Sequence, residues 1–306
     1  MVKYLDNSIT EKEIHMTIDI SPPKSIQELA AFLEVINKDD TSHIGYCGEK
    51  KKEIFDTLSN DFSDLDIEKS FVVAYDRYDI VGALGFDLDE ESKTAEVWGP
   101  FVENGQDYMD IANKLWQALQ TSIPFKIEEH LFFVNEKNTL ARQFIEHING
   151  IESGHHQILR AERNSQTNSQ DIHVKNYDAI FYQSFSALHA LAFPNTYYSN
   201  EQILSRISED NRLFVIQHND KIKGYVYVEG NPTHGEGAIE YIAVSPEFRG
   251  QGIARKLMKA ALHHLFSYEG MEEINLSVGA NNKAAIALYM ASGFKKKHTM
   301  VAYKKG

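Results

Sequence analysis

The apolar segments of this chain come in the same order twice, at a spacing of about 150 residues, and that repeat limits the fold more than any other feature. In the first pass, two-residue alternation predicts a strand over 15–20, and helical periodicity predicts helices over 25–36 and 49–58. Apolar runs at 71–75 and 80–86 flank a polar turn, which reads as a hairpin. A strand over 95–102 broken at Gly99-Pro100, a helix over 107–120, a strand over 127–134, a helix over 138–148 and a closing strand over 156–162 complete the pass. The run N-S-Q-T-N-S-Q at 164–170 is small, polar and aperiodic, as a linker is. The pattern then restarts with a short strand over 172–174, a helix over 177–192, a helix from a capping box at 199–202 through 207, and strands over 213–218 and 223–229 about a second hairpin turn. Mixed strands and helices in this order predict an α/β fold around a mixed sheet, made twice: residues 1–163, a linker over 164–170, and residues 171–306.

In the second pass a strand over 238–243 runs into V-S-P-E-F-R-G-Q-G-I-A-R at 244–255. Apolar residues at 253, 257, 261 and 265, and again at 254, 258 and 262, predict an amphipathic helix beyond it. A strand-turn-helix junction leaves the first N–H groups of the helix without internal partners, and the two glycines let a bulky anion approach them. The expected product is a phosphate cradle made mostly of backbone. Downstream, N-K-A-A-I-A-L-Y at 282–289 precedes Gly293-Phe294, and on a helix Asn282, Ala285, Ile286 and Tyr289 form one stripe. Small Ala285 permits close approach of a ligand. Asn282 either offers an amide to that ligand or caps the helix, and Tyr289 either presents a phenol or packs its ring.

Charge and cysteine usage narrow the function. Net charge is −13, and residues 1–168 carry 16 Lys and Arg against 31 Asp and Glu, whereas the remainder carries 15 against 13. A nucleic-acid binder needs a basic stripe, so DNA or RNA is not the expected partner. A single cysteine, Cys47, excludes an internal disulfide and a multi-cysteine metal site, and no metal is expected. No uninterrupted apolar run reaches about 18 residues and the N-terminus has no signal-peptide core, so the expectation is a cytoplasmic protein without a membrane partner.

The spacing Arg249-x-x-Gly252-x-Ala254 resembles the pyrophosphate signature of the GCN5-related N-acetyltransferases (GNAT), and 282–294 resembles the other half of that family's coenzyme site, in the family's order. The resemblance covers nearly all of 171–306 and implies two tandem acyl-CoA N-acyltransferase domains, each with fourth and fifth strands that splay apart to admit the acetyl-pantetheine arm. The first pass departs at both motifs. P-F-V-E-N-G-Q-D at 100–107 has one glycine and two carboxylates, and Ile145 lies seven residues after Asn138 where the second pass has Tyr289. The N-terminal copy is therefore expected to be degenerate.

The resemblance implies an N-acetyltransferase that moves an acetyl group from acetyl-CoA to a primary amine of a small molecule or peptide. It places the coenzyme against Ile242, Val244, Arg249, Gly250, Gln251, Gly252, Ile253, Ala254, Arg255, Asn282 and Ala285. Tyr289 is the candidate proton donor, a phenol near pKa 10 facing a thiolate near 8.5, a mismatch of about 2 kcal/mol. Glu240 is the candidate base, since two-residue alternation puts it on the strand face of Ile242 and Val244; Glu236, between two glycines, competes if the strand bulges. Tyr197-Tyr198 forms either an acceptor wall or core packing, and Lys295-Lys296-Lys297 either meets the coenzyme's 3′-phosphate or is a solvated strand end. Coenzyme A is a polyanion, so the acidic half predicts one coenzyme per chain and a preference for cationic acceptors. The alternative is a non-catalytic acyl-CoA-binding or regulatory protein, which needs neither Glu240 nor Tyr289.

Overall fold

A computed structural model describes residues 18–163, 173–194, 196–219 and 221–306. The start of the first expected strand and the whole of 164–170 lie outside the described residues. Two compact units are present: Met1–Leu131 with Thr139–Asn149 and Lys305–Gly306, and Phe132–Asn138 with Gly150–Lys304.

The first unit runs β1 (Ile18–Ser21), α1 (Ile26–Asn37), α2 (Lys51–Asn60), a single turn α3 (Ile67–Ser70), β2 (Phe71–Asp76), β3 (Asp79–Asp89), β4 (Thr94–Val102), α4 (Tyr108–Ser122), the start of β5 (Glu129–Asn135) and α5 (Thr139–His147). Helix α1 starts where Ser25 accepts the N–H of Glu28, and α4 lays Ile111, Leu115, Trp116 and Leu119 on the sheet, with the Trp116 ring 5.2 Å from Phe86. Strands β1 to β4 pair antiparallel in order, and β4 pairs β5 in parallel only over Thr94–Glu96. Strand β4 runs through Thr94–Val102, and its pairing with β3 is interrupted at Gly99-Pro100 as expected, the register slipping between Phe101, opposite Ala83, and Trp98, opposite Gly85.

The second unit contains β6 (Ile151–Glu162), β7 (Lys175–Asn176), α6 (Tyr182–Ala192), α7 (Asn200–Ser205), β8 (Arg212–His218), β9 (Lys221–Asn231), β10 (Glu236–Val244), α8 (Ile253–Leu265), β11 (Glu273–Gly279), α9 (Lys283–Ala291) and nearly all of β12 (Lys295–Lys305). Its strands lie in the order β12-β6-β11-β10-β9-β8-β7. Strand β6, expected to close the first copy, instead pairs along its length with β11 and β12, and its buried Leu159 and Ala161 belong to the second unit's core. The helix expected over 177–192 begins as a short 3-10 turn, Ala179–Phe181, before α6.

Two apolar cores cover the two faces of this sheet. On one, Leu257, Met258, Ala261 and Leu265 of α8 pack with Val226, Val228, Ile239 and Ile274; on the other, Phe185 of α6 and Ile203 of α7 pack with Val215, Tyr225, Tyr227 and Tyr241. Each buried Leu or Met contributes on the order of 1.5–3 kcal/mol, so α8 is held by its apolar stripe rather than by helix propensity. Parallel pairing of β10 with β11 stops at Ala238 and Asn275, and the two strands run on without pairing toward their C-terminal ends. Among the described residues no helix is long and apolar enough to cross a membrane.

Candidate functional site

Beyond Ala238, the β11 side of β10 has no strand partner among the described residues. Val244 leads through a 3-10 turn, Pro246–Phe248, into Arg249, Gly250, Gln251 and Gly252. Gly250 and Gly252 have φ of +77° and +73°, and a Cβ added at either would meet nothing within 4 Å. The backbone thus borders open space in a conformation that disfavours side chains. Gly252 caps α8 without a side-chain hydrogen bond, so the N–H groups of Ile253, Ala254 and Arg255 have no such acceptor and the positive end of the helix dipole faces the loop. Arg249 folds back along this loop, its Nε donating to the Val244 carbonyl at 3.3 Å. This cradle has room and donors for a pyrophosphate.

The corresponding helix of the first unit is closed. Asp107 caps α4, its carboxylate accepting the N–H of Asp110 at 3.1 Å, so a protein carboxylate already occupies that helix N-terminus. Where the second unit has Tyr289, the first has fully buried Ile145.

Asn282 caps α9, its Oδ1 accepting the N–H of Ala285 at 3.2 Å, which commits the carbonyl and leaves the amide NH₂ for a ligand. Ala285, Ile286 and Tyr289 pack into the same apolar cluster as Ile242, Val244 and Ile253, so the fold brings the two coenzyme motifs to one face. Tyr289 is buried at 8% exposure, its ring 6.1 Å from Phe294. Burial pushes its phenol up to about 12, and the hydroxyl has no hydrogen-bond partner among the described residues. Lys295 and Lys296 begin β12, in register with Arg160 and Leu159 of β6.

Glu240 does not share a face with Ile242 and Val244. The β9–β10 register slips between Ile239, opposite Val228, and Tyr241, opposite Tyr227, leaving Glu240 as the extra residue of a β-bulge. Ile239, Ile242 and Val244 pack toward α8, whereas Tyr241 and Ala243 pack toward α6 and α7. Glu240 turns to this second side, where the Tyr197 hydroxyl donates to its Oε2. Burial raises the Glu240 pKa, and the hydrogen bond from Tyr197 pulls it partway back. Glu236 lies in the paired stretch of β10, opposite Asn231 and Glu273, and so away from the divergence.

Around Glu240 the rings of Tyr197 and Tyr198 lie 4.3 Å apart, and Tyr197 is 5.9 Å from Tyr241. Arg206 grips Glu229 through Nε and Nη2 at 2.8 and 3.2 Å and lies over the Tyr198 ring at 4.5 Å, while Tyr227 donates to Glu229 at 2.7 Å. The Arg206–Glu229 pair was not visible in the sequence, because its members lie 23 residues apart with the whole of β8 between them.

Fold and site together define a tandem acyl-CoA N-acyltransferase architecture. Residues 180–294 match the acetyltransferase (GNAT) family model. A GCN5-related N-acetyltransferase from Sphaerobacter thermophilus superposes with a TM-score of 0.72 at 17% identity, covering 94% of this chain and 95% of that one. A tandem GNAT protein from the clavulanic acid biosynthesis pathway superposes with a TM-score of 0.65 at 15% identity, covering 94% and 98%. In sequence, a mycothiol acetyltransferase of Kocuria rhizophila is 36% identical over 92 residues, 29% of this chain and 30% of the relative. An N-alpha-acetyltransferase 30 of Schizosaccharomyces pombe is 37% identical over 84 residues, 26% of this chain and 55% of the relative. The chain thus matches these curated relatives over no more than about half of their length.

Proposed function

We propose that the chain is an acetyl-CoA-dependent N-acetyltransferase whose C-terminal copy, 171–306, binds and uses the coenzyme, while the copy at 1–163 is non-catalytic. The observation that carries this reading is the open N-terminus of α8, reached directly from a strand that has just lost its parallel partner. The coenzyme supplies an activated thioester. The N–H groups at 253–255 would hold its pyrophosphate, and the unpaired edge of β10 at Ile242 and Val244 offers backbone groups to the pantetheine arm and an N–H to polarise the carbonyl. Tyr289 packs on the α8 face of the sheet and Glu240 bonds Tyr197 on the other. Glu240, with a raised pKa, takes the amine proton, and Tyr289 donates a hydrogen bond to the departing sulfur. With Glu229 and the Tyr198 ring already engaged by Arg206, Glu240 and the Tyr197 ring favour a cationic amine on the acceptor side, and the working compartment is the cytoplasm. A thiol-release assay on the full chain against a panel of primary amines tests the reading. Amine-dependent release supports it; tight acetyl-CoA binding without release for any amine identifies an acyl-CoA-binding protein instead.

A further inference from the structure

Tyr197 reaches Glu240 from an exposed position. The residue is 65% exposed, so packing of its own ring does little to fix where the hydroxyl lies, and its neighbours in the chain must do so. Three hydrogen bonds tie those neighbours to the core of the second unit. Thr196 Oγ1 lies 2.6 Å from the Tyr241 hydroxyl, and the Tyr198 N–H donates to that same hydroxyl at 3.3 Å. The Tyr198 carbonyl lies 2.9 Å from Nε2 of His189.

His189 sits on α6 at 3% exposure, among the rings of Phe185, Phe193, Tyr225 and Tyr241, whose centres are 5.1 to 6.0 Å from its own. A carbonyl oxygen only accepts, so Nε2 carries a proton and donates it to Tyr198. In the neutral ring the Tyr225 hydroxyl then donates to Nδ1 at 2.6 Å. Both ring nitrogens are thereby engaged inside the core. An apolar side chain would fill this place without burying two polar atoms, so packing alone does not call for histidine. What histidine adds is a donor held at the Tyr198 carbonyl by a second bond from behind.

We infer that His189, with the Tyr241 hydroxyl, is a positioning residue that clamps the turn at 196–198 so that the exposed Tyr197 presents its hydroxyl to Glu240. The clamp stands on the hydrogen bonds; its consequence for catalysis rests on the reading of Glu240 as the base. The bond from Tyr197 holds the Glu240 pKa down against burial, so a released turn lets Glu240 take up its proton at a higher pH. The other charged groups that bear on Glu240 are Glu229 of β9 and Arg206 at the end of α7, and the variants below leave both in place.

The experiment is a double-variant cycle on the full chain. Carboxyl-carbon NMR on glutamate-labelled protein follows the Glu240 titration, with its resonance assigned through Glu240→Gln, and the acid limb of kcat/KM is measured alongside. His189→Leu and Tyr197→Phe should each raise the Glu240 midpoint by about half a pH unit or more, and the double variant should move no further than Tyr197→Phe alone. Tyr225→Phe removes the histidine's other bond from the same core; it should lower the melting temperature and leave the midpoint in place. If His189→Leu does not fold, Tyr241→Phe cuts the other two ties to the turn, keeps the ring, and should give the same rise. A midpoint unmoved in the folded variant, a rise that persists undiminished in the Tyr197→Phe background, or an equal rise in Tyr225→Phe overturns the clamp. A midpoint that rises in His189→Leu while the acid limb stays where it was supports the clamp and removes Glu240 from the base role.

Discussion

Replacing Tyr289 by Phe isolates a buried hydroxyl that has no hydrogen-bond partner among the described residues. The phenol is pushed up to about 12 by burial, some 3.5 units above a thiolate near 8.5, and at 1.36 kcal/mol per unit full proton transfer would be uphill by about 5 kcal/mol. That exceeds the mismatch of about 2 kcal/mol expected for an ordinary phenol, so the structure favours a hydrogen bond to the sulfur over a completed proton transfer. A hydrogen bond to a charged group contributes about 1.5–3 kcal/mol, which sets the expected loss in kcat at about 10- to 150-fold. The ring stays in its cluster, and no internal hydrogen bond of the described residues is broken. Cofactor affinity and melting temperature should therefore stay close to those of the parent. Steady-state thiol release gives kcat and calorimetry gives Kd. A kcat unchanged within twofold would refute the role, and a Kd that rises in step with the lost rate would show that Tyr289 shapes the pocket instead.

Gly252→Asp should lower acetyl-CoA affinity at least 100-fold in calorimetry, by setting a carboxylate against the pyrophosphate position; Gly252→Ala shares the left-handed backbone cost but not the charge and should retain most of the affinity. Tyr197→Phe removes a hydrogen bond that lowers the Glu240 pKa. That pKa should rise further, and since the base works only when deprotonated, the acid limb of kcat/KM should move to higher pH; an unmoved limb removes Glu240 from the base role. Gly224→Ala would place a Cβ 2.7 Å from the Ala243 carbonyl oxygen and should destabilise by about 1–3 kcal/mol, read as a fall in the denaturation midpoint with an unchanged slope.

The repeat, the glycine turn and the amphipathic stripe of α8 could be read from the sequence because each is local. Gly250 and Gly252 announce their positive φ, and residues 253, 257, 261 and 265 meet the same core because helix geometry leaves no alternative. What was hidden depended on pairing between distant strands. Nothing near Glu240 signals a bulge, because the slip is a mismatch between two strands, and it turns a charged side chain to the face that alternation excludes. Strand β6 likewise carries no mark of its neighbours: its alternating residues suit any sheet, and only the assembled register shows it between β11 and β12. The self-capped start of α4 was legible in part, since Asp107 was visible as a carboxylate in the wrong place, but its role as a helix cap was not.

The most direct test of the account is the stoichiometry of acetyl-CoA on the full chain, measured by isothermal titration. One tight site per chain is the predicted result, because α8 opens on a glycine cap while α4 closes on Asp107. Two tight sites, or none, would contradict it.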